Sequence, residues 1–263
     1  MNVIEAIILG IIQGLAEFLP ISSSGHLALG HHFFGLQEEG LLFSIVVHVA
    51  TLVPVFVVFW KDIWAILRKP FQKITLMLIV ATVPAAIVGF FFEDAVEAVF
   101  STLTYLSIGF LFTGIILLIS DRFKKGKKTT ETMSWLDTVI MGIAQAIAIM
   151  PGISRSGTVI VAALSRGVER AEAAKFAFLM SIPIILGATV LQVFNVARGD
   201  IYLGDINFVA FGAGFASAAV SGYLAIKLML AAVRKAKFSY FAIYVLSLAA
   251  VITLWTLIGG NGA

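Results

Sequence analysis

The chain consists of long apolar runs separated by short polar segments, and this pattern predicts membrane-spanning helices. An α-helix needs roughly 20 apolar residues to cross a bilayer. Six runs approach this length: 41–60, 74–92, 103–119, 176–196, 206–229 and 238–258. Two further elements are broken, one into 3–19 and 27–36 with Pro20 between them, the other into 135–150 and 159–164. Because each half of a broken element is short, we expect helical hairpins.

The two broken elements are copies of one another. A shift of 132 residues aligns a series of identical residues without a gap, and an internal repeat of this kind constrains the architecture of the whole chain. The identical pairs include Gly10 and Gly142, Gln13 and Gln145, Ala16 and Ala148, Ile21 and Ile153, Ser22 and Ser154, Ser24 and Ser156, and Gly25 and Gly157. We therefore predict a single membrane domain over residues 1–263, built from repeats of about 1–130 and 133–263.

The positions of the basic residues indicate how the hairpins lie in the membrane. If each hairpin leaves on the side that it enters, the segments 61–73, 122–128, 166–175 and 227–237 share one face. These segments hold 16 of the 18 Lys and Arg residues, whereas hairpins that crossed the membrane would divide them almost evenly. The excess of Lys and Arg on cytoplasmic loops favours the first arrangement. It places the basic segments in the cytoplasm and both termini outside.

The predicted fold is an all-α integral membrane protein with an inverted-topology repeat, six transmembrane helices and two re-entrant helical hairpins. Because each repeat contains an odd number of spans, the first hairpin enters from outside and the second from the cytoplasm. The polar tips then meet near the membrane midplane, as in proteins whose broken helices form a binding site.

Composition excludes a soluble domain, since 60% of the residues are apolar, 13% are charged and the mean hydropathy is +1.03. The chain has no cysteine, which excludes disulfides and thiolate metal sites. The basic run 124–128 is typical of a topology signal that contacts anionic lipid, and we expect no nucleic-acid partner. We expect His31 and His32 to be solvated, and His48 to be either a hydrogen-bonded interior histidine or part of a site wall.

The repeat differs at three polar positions of its tips. Glu17 corresponds to Ile149, Ser23 to Arg155 and His26 to Thr158. A charged side chain in the bilayer core costs about 2.5–3.5 kcal/mol of free energy even on the scale derived from membrane insertion. Such side chains are therefore found there when they have interaction partners and a function. Each tip also presents backbone N–H groups at a helix start, which bind anions, and Arg155 is suited to phosphate. The tips therefore predict a site for a phosphorylated group.

The spacing of the polar residues suggests roles within this site. His26 follows Ser23 by three residues, as suits a base that activates a hydroxyl nucleophile. Gln13 and Glu17 lie one helical turn apart and offer hard oxygen ligands for Mg²⁺ or Ca²⁺. The other residues predicted to bind substrate are Ser22, Ser24, Gly25, Ser154, Ser156, Gly157 and Thr158. A simpler interpretation makes Glu17 a packing partner of Arg155 and makes some of the serines helix caps.

Residues 13–26 (QGLAEFLPISSSGH) and 151–157 (PGISRSG) resemble the undecaprenyl-diphosphate phosphatase family of bacterial inner membranes, also called the bacitracin-resistance family. The resemblance covers the whole chain. It implies hydrolysis of a C55 polyprenyl diphosphate to the monophosphate, which recycles the lipid carrier of cell-wall synthesis at the outer, periplasmic face. It also implies metal and diphosphate binding by Gln13 and Glu17, phosphoryl transfer by Ser23 and His26, and diphosphate binding by Arg155.

Ala16, Ser44 and Ala50 depart from the family pattern, in which threonine, an acidic residue and glycine are common at these positions. They bear on metal preference and prenyl chain length and leave every proposed catalytic group in place. The expected partners are a polyprenyl diphosphate and bilayer lipids, and the sequence is compatible with a homodimer. The alternative function is a transporter or flippase for an anionic polyprenyl-phosphate lipid or for phosphate, which the inverted repeat favours. Asymmetric tips favour an enzyme, because a reaction needs distinct base, nucleophile and charge-binding groups.

Overall fold

The computed structural model describes residues 1–36, 38–92, 103–198, 206–233 and 237–258, which form a bundle of α-helices. The helices in chain order are α1 (Val3–Phe18), α2 (Ser23–Phe34), α3 (Glu38–Val58), α4 (Trp60–Arg68), α5 (Lys73–Phe91), α6 (Leu103–Ser120), α7 (Trp135–Ile147), α8 (Arg155–Ser165), α9 (Arg170–Arg198), α10 (Phe208–Ala232) and α11 (Ser239–Leu257). Within these ranges five helices have the length and hydropathy of single spans, and the number is six if the bent pair of α3 and α4 is counted as one span. The predicted all-α membrane fold is confirmed.

In the second hairpin, α7 and α8, the start of α7 and the end of α8 lie next to each other. Ser134 and Asp137 form a capping box at the start of α7. The buried Asp137 carboxylate accepts hydrogen bonds from Lys128 at 2.8 Å and from Arg166, the residue after α8, at 2.9 Å. Burial tends to raise the pKa of Asp137, but hydrogen bonds from these two cations and from Ser134 lower it well below its usual range. The hairpin therefore begins and ends at the same end of the bundle, as a re-entrant hairpin would, and a buried carboxylate holds its base closed.

The first hairpin, α1 and α2, also begins and ends at one end of the bundle. Asn2 and Glu5 form a capping box at the start of α1, and they lie 132 residues before Ser134 and Asp137. Val3 at the start of α1 and Phe34 at the end of α2 pack against the same apolar cluster. The repeat thus includes the cap of each re-entrant helix as well as its tip.

The bases of the two hairpins lie at opposite ends of the bundle. The base of the second hairpin shares its end with the ion pairs Asp62–Lys175 and Asp121–Arg170, and with the Asp121 carboxylate that caps the start of α11. The base of the first hairpin lies at the opposite end, where the Asn207 amide before α10 donates to the Met1 carbonyl at 3.5 Å. This is the arrangement expected of inverted repeats.

Several of the basic residues predicted to lie in loops belong to helices. Lys61 and Arg68 lie in α4, Lys175 in α9 and Lys227 in α10, because these helices continue beyond the apolar core of the bundle. The predicted basic residues at 234–235 lie outside the described residues. The prediction that 61–73 is a loop is wrong over 61–68.

Helix α4 meets α3 at an angle of 85° and is strongly amphipathic. Ile63 and Ile66 pack against the main core, whereas Trp60, Trp64 and Leu67 are exposed. Exposed tryptophans on a helix with basic residues beside them are typical of a helix that lies in the membrane interface.

Each hairpin packs against a span from the other half of the chain. The Gly10 and Gly14 positions of α1 leave no room for a side chain against α10, where the Ser221 hydroxyl lies 3.4 Å from the Gly10 carbonyl oxygen. Gly142 of α7 contacts the backbone of Ala81 in α5 with equal closeness. Small residues permit such close approach of helices in membranes, and here they bring the two tips together.

Candidate active site

The tips of the two hairpins are in direct contact. The Ser156 hydroxyl of the second tip donates a hydrogen bond of 3.2 Å to the Leu19 carbonyl of the first. A Cβ atom built on Gly25 would lie 3.1 Å from the Gly152 Cα, and one built on Gly157 would lie 3.1 Å from the Pro20 Cβ. Glycine at these positions therefore permits the contact between the tips.

The Glu17 carboxylate binds side chains from both tips. Its Oε2 accepts hydrogen bonds from the Ser23 hydroxyl at 2.6 Å and from the Gln13 amide at 3.0 Å. Its Oε1 forms an ion pair with Arg155 of the second hairpin. His48 Nε2, from α3, lies 3.8 Å from Oε2. The structure thus brings together the predicted residues Gln13, Glu17, Ser23 and Arg155, and it contains the Glu17–Arg155 pair that the simpler interpretation requires.

Two of the tip serines cap helices. Ser22 accepts a hydrogen bond from the Gly25 N–H, and Ser154 accepts one from the Gly157 N–H, at 3.3 and 3.2 Å. A cap satisfies one backbone donor, and the other N–H groups of the first turn of α2 and of α8 have no acceptor within the helix. Ser22 also has a φ of 70°, which non-glycine residues rarely adopt and which is often found at functional sites.

The remaining hydroxyls of the tips each have a partner within their own hairpin, and Ser156 also bonds to Leu19 of the other. Ser24 lies 3.3 Å from the Ser22 hydroxyl, and Ser156 lies 3.3 Å from the Ser154 hydroxyl. Thr158 donates to the Ser154 carbonyl at 2.7 Å. None of these three hydroxyls has Glu17 as its partner in the described contacts, so Ser23 differs from them in its environment.

The predicted contact between His26 and the Ser23 hydroxyl is not formed. The Ser23 hydroxyl donates to Glu17 instead. His26 Nδ1 lies 2.7 Å from the Ser22 carbonyl, to which it donates, and Nε2 lies 2.7 Å from the Tyr244 hydroxyl of α11. In the neutral ring, Nε2 therefore accepts the hydrogen bond. Residue spacing predicted the wrong partner because it ignored the carboxylate that faces Ser23 from α1.

Comparison with known proteins identifies the family of the chain. Residues 6–251 match the protein family described as bacitracin resistance protein BacA. The chain belongs to this family. It is 47% identical over 245 residues to the undecaprenyl-diphosphatase of Carboxydothermus hydrogenoformans, covering 93% of this chain and 94% of that protein. It is 44% identical over 263 residues to the undecaprenyl-diphosphatase of Parabacteroides distasonis, covering 97% of this chain and 98% of that protein. With the undecaprenyl-diphosphatase of Alkaliphilus metalliredigens the identity is 39% over 277 residues, covering 98% and 100%.

Sequence analysis missed two residues that hold the tips of this BacA-family protein in place. Tyr244 stacks on the His26 ring and bonds to it, while Thr113 of α6 donates to the Gly152 carbonyl at 3.0 Å and accepts from the Ser154 N–H at 2.9 Å. The sequence feature that could have indicated both residues was a hydroxyl group inside an apolar span, because buried hydroxyls need hydrogen-bond partners.

The environments of two histidines outside the tips, His48 and His31, could be established only from the structure. His48 fits both interpretations, since Nδ1 donates to the Ser44 carbonyl at 2.7 Å while Nε2 faces Glu17. The prediction that His31 is solvated is wrong, because its ring lies against Gly40 and its Nε2 is buried. His32 is exposed, as predicted.

The residues around Glu17 fit a partial metal site. Gln13 Oε1 is buried without a hydrogen-bond partner next to the Glu17 carboxylate. The described residues contain no cluster of three or more His, Asp or Glu side chains that could hold a metal ion. The protein would therefore supply two oxygen ligands, and the substrate and water would supply the others, as is usual for Mg²⁺ bound with a phosphorylated substrate.

Proposed function

We propose that this protein hydrolyses undecaprenyl diphosphate, a polyprenyl diphosphate, to the monophosphate and inorganic phosphate, and so recycles the lipid carrier of cell-wall synthesis. The observation that carries the proposal is the meeting of the Glu17 carboxylate, the Ser23 hydroxyl and the Arg155 guanidinium inside an apolar bundle. Carriers of one anion have no need of these three groups, whereas phosphoryl transfer uses each of them. The relatives named undecaprenyl-diphosphatase support the same reaction.

Diphosphate binding begins at Arg155. Its Nη2 pairs with Glu17, and its Nη1 is buried without a hydrogen-bond partner. A guanidinium can bind phosphate oxygens through two parallel N–H groups, so an incoming diphosphate replaces Glu17 as the partner of Arg155. The first N–H groups of α2 and α8, near Ser23 and Ser156, bind further oxygens.

Release from Arg155 leaves Glu17 as the base nearest to the Ser23 hydroxyl. Glu17 accepts the hydroxyl proton as Ser23 Oγ attacks the terminal phosphorus, and the bond from that phosphorus to the bridging oxygen breaks. The polyprenyl monophosphate leaves, and water then cleaves the phosphoserine to phosphate and free Ser23. Arg155 and the backbone N–H groups stabilise the charge on the phosphate oxygens throughout.

His26 and a divalent ion complete the proposed site. The bond from His26 Nδ1 to the Ser22 carbonyl fixes the turn that carries Ser23, and Nε2 remains the nitrogen through which His26 exchanges a proton. Gln13 and Glu17 would hold Mg²⁺ or Ca²⁺, which neutralises part of the diphosphate charge when bound.

Phosphate release by purified protein tests the function. We expect release from a polyprenyl diphosphate with Mg²⁺ or Ca²⁺, strong inhibition by a chelator, and little release by Arg155→Ala or His26→Ala. Brief reaction with substrate labelled at the terminal phosphate, followed by acid quenching and peptide mapping, should place the label on Ser23. Binding of the lipid without phosphate release under every divalent ion would instead favour a transporter or flippase.

We place the protein in the bacterial inner (plasma) membrane with both termini outside and the site open to the outer face. The accumulation of basic residues at one end of the bundle supports this orientation. Since the chain has no native cysteine, a cysteine introduced at Lys125 gives a clean test. It should react with a membrane-impermeant maleimide only after cells are permeabilised, and labelling of intact cells would reverse the orientation.

A further inference from the structure

Gln145, in α7 of the second hairpin, is a buried amide that neither the family motifs nor the proposed chemistry uses. Its side chain is 2% exposed, and both Oε1 and Nε2 lack a hydrogen-bond partner. Leaving both atoms of an amide unpaired in an apolar interior is unfavourable. Because native proteins pair nearly all buried polar atoms, an amide left in this state calls for a ligand.

The repeat indicates which part of the site Gln145 faces. Gln145 aligns with Gln13, and Arg155 aligns with Ser23. In the first hairpin, the Gln13 amide and the Ser23 hydroxyl donate to the same oxygen of Glu17, at 3.0 and 2.6 Å. Positions 13 and 23 of that hairpin are thus separated by a single acceptor atom.

The second hairpin repeats the types of cap of the first hairpin without this acceptor. A capping box lies at its base and a serine cap at its tip, although α7 ends at Ile147, three residues before the position that corresponds to the end of α1. The residue that corresponds to Glu17 is Ile149, which has no oxygen in its side chain. The Gln145 amide and Arg155 Nη1 both lack a hydrogen-bond partner among the described residues.

We propose that an oxygen of the diphosphate supplies the missing acceptor, with Gln145 Nε2 donating to the phosphate group that Arg155 binds. Gln145 is then a substrate-binding residue and the counterpart of Gln13 on the cationic side of the site. The inference rests on the proposed function, since it assigns a binding residue to the diphosphate of that substrate. It also accounts for an amide whose burial brings the fold no hydrogen bond.

Two substitutions at Gln145 and a matched control test the proposal. A lost hydrogen bond to a charged group weakens binding by about 10- to 100-fold, so Gln145→Leu should raise KM by this factor with kcat changed by less than about threefold. Gln145→Glu should raise KM further, because it places a negative charge beside the diphosphate. Gln192→Leu, at a half-buried glutamine near the C-terminal end of α9 whose Oε1 also lacks a partner, should leave KM unchanged.

Thermal unfolding and inorganic pyrophosphate binding separate a binding role from a structural one. Gln145→Leu breaks no hydrogen bond within the protein, so its Tm should equal or exceed that of the wild type, while its affinity for pyrophosphate measured by calorimetry should fall with the rise in KM. Unchanged KM and unchanged pyrophosphate affinity would overturn the proposal. A lowered Tm with matching losses in kcat would assign Gln145 to folding and overturn it too. Wild-type protein that binds pyrophosphate through Gln145 but releases no phosphate from the lipid would refute only the proposed function.

Discussion

The two hairpins share their helix caps and differ in the chemistry of their tips. Both begin with a capping box and both reach their second helix through a serine cap. The first tip carries the carboxylate, hydroxyl and imidazole of Glu17, Ser23 and His26, whereas the second carries the Arg155 guanidinium. A duplicated frame thus became an asymmetric site through changes at a few positions, and each half holds what the other lacks.

The hairpins also differ in what holds them. The second is anchored at its base by the buried Asp137 and at its tip by Thr113. At the first, the capping-box residue Glu5 is only partly buried, and the tip is held through the bond from Tyr244 to His26. We therefore expect substitutions in the first hairpin to change chemistry and those at the base of the second to change stability.

The largest effect on activity is expected from Ser23→Ala. Loss of a nucleophile costs about 10⁴-fold or more in kcat, and the labelled phosphoenzyme should disappear. Ser24→Ala is the matched control, because its hydroxyl bonds to Ser22 and not to Glu17. It should retain activity within about threefold. Near-normal phosphate release by Ser23→Ala would mean that water attacks the phosphorus directly.

Separate and combined removal of Glu17 and Arg155 tests whether their pair is structural or catalytic. Each single alanine variant should lose about 10²- to 10⁴-fold in phosphate release. Each should also lose about 3–5 kcal/mol of unfolding free energy, because it leaves a buried charge unpaired.

The double variant should regain much of that stability without regaining activity. Thermal unfolding in detergent and phosphate release by the same preparations provide the two measurements. Recovery of activity in the double variant would support the simpler interpretation, in which the pair only packs the tips together.

A smaller effect is expected from Tyr244→Phe, which removes the hydroxyl that bonds to His26. The loss of this hydrogen bond should lower kcat by about 3- to 10-fold, and the limb of the pH–rate profile that reports His26 should move. Tyr240→Phe, one turn earlier on α11 and 71% exposed, serves as the control. Identical profiles for the two variants would remove Tyr244 from the mechanism.

The smallest effect on rate, and a clear one on stability, is expected from Asp137→Asn. Lys128 and Arg166 lose their shared carboxylate, which should cost about 1–3 kcal/mol of unfolding free energy, whereas Glu5→Gln should cost less than about 1 kcal/mol. Because the pKa of Asp137 is lowered in the folded protein, its carboxylate stabilises the fold at all pH values above the ordinary Asp pKa of about 3.9.

That stabilisation is lost only as the pH falls below this value toward the lowered pKa. The difference in Tm between wild type and Asp137→Asn should therefore stay constant from neutral pH to about pH 5 and shrink below about pH 4. A difference that disappears already near pH 6 would show that Asp137 is not ionised in its bonds to Lys128 and Arg166.

The sequence alone predicts the broken elements, the repeat and the residues that meet at Glu17, because proline, glycine and polar residues stand out in an apolar chain. It does not predict α4, whose helical spacing of Ile63 and Ile66 is hidden among charged residues. It also does not predict Tyr244 or Thr113, because the rotation of an apolar span about its axis depends on packing against neighbours. The partner of Ser23 was missed for a related reason, since a spacing within α2 contains no information about α1.

The Glu17–Arg155 ion pair has a consequence for selectivity. An anion that reaches Arg155 must displace a carboxylate that the chain itself keeps at high local concentration. A ligand with a single weak charge competes poorly with the Glu17 carboxylate for Arg155, whereas a diphosphate with several charges competes well. In the proposed reaction the same competition would favour release of the less charged products after cleavage, so the resting pair would both select highly charged ligands and promote turnover.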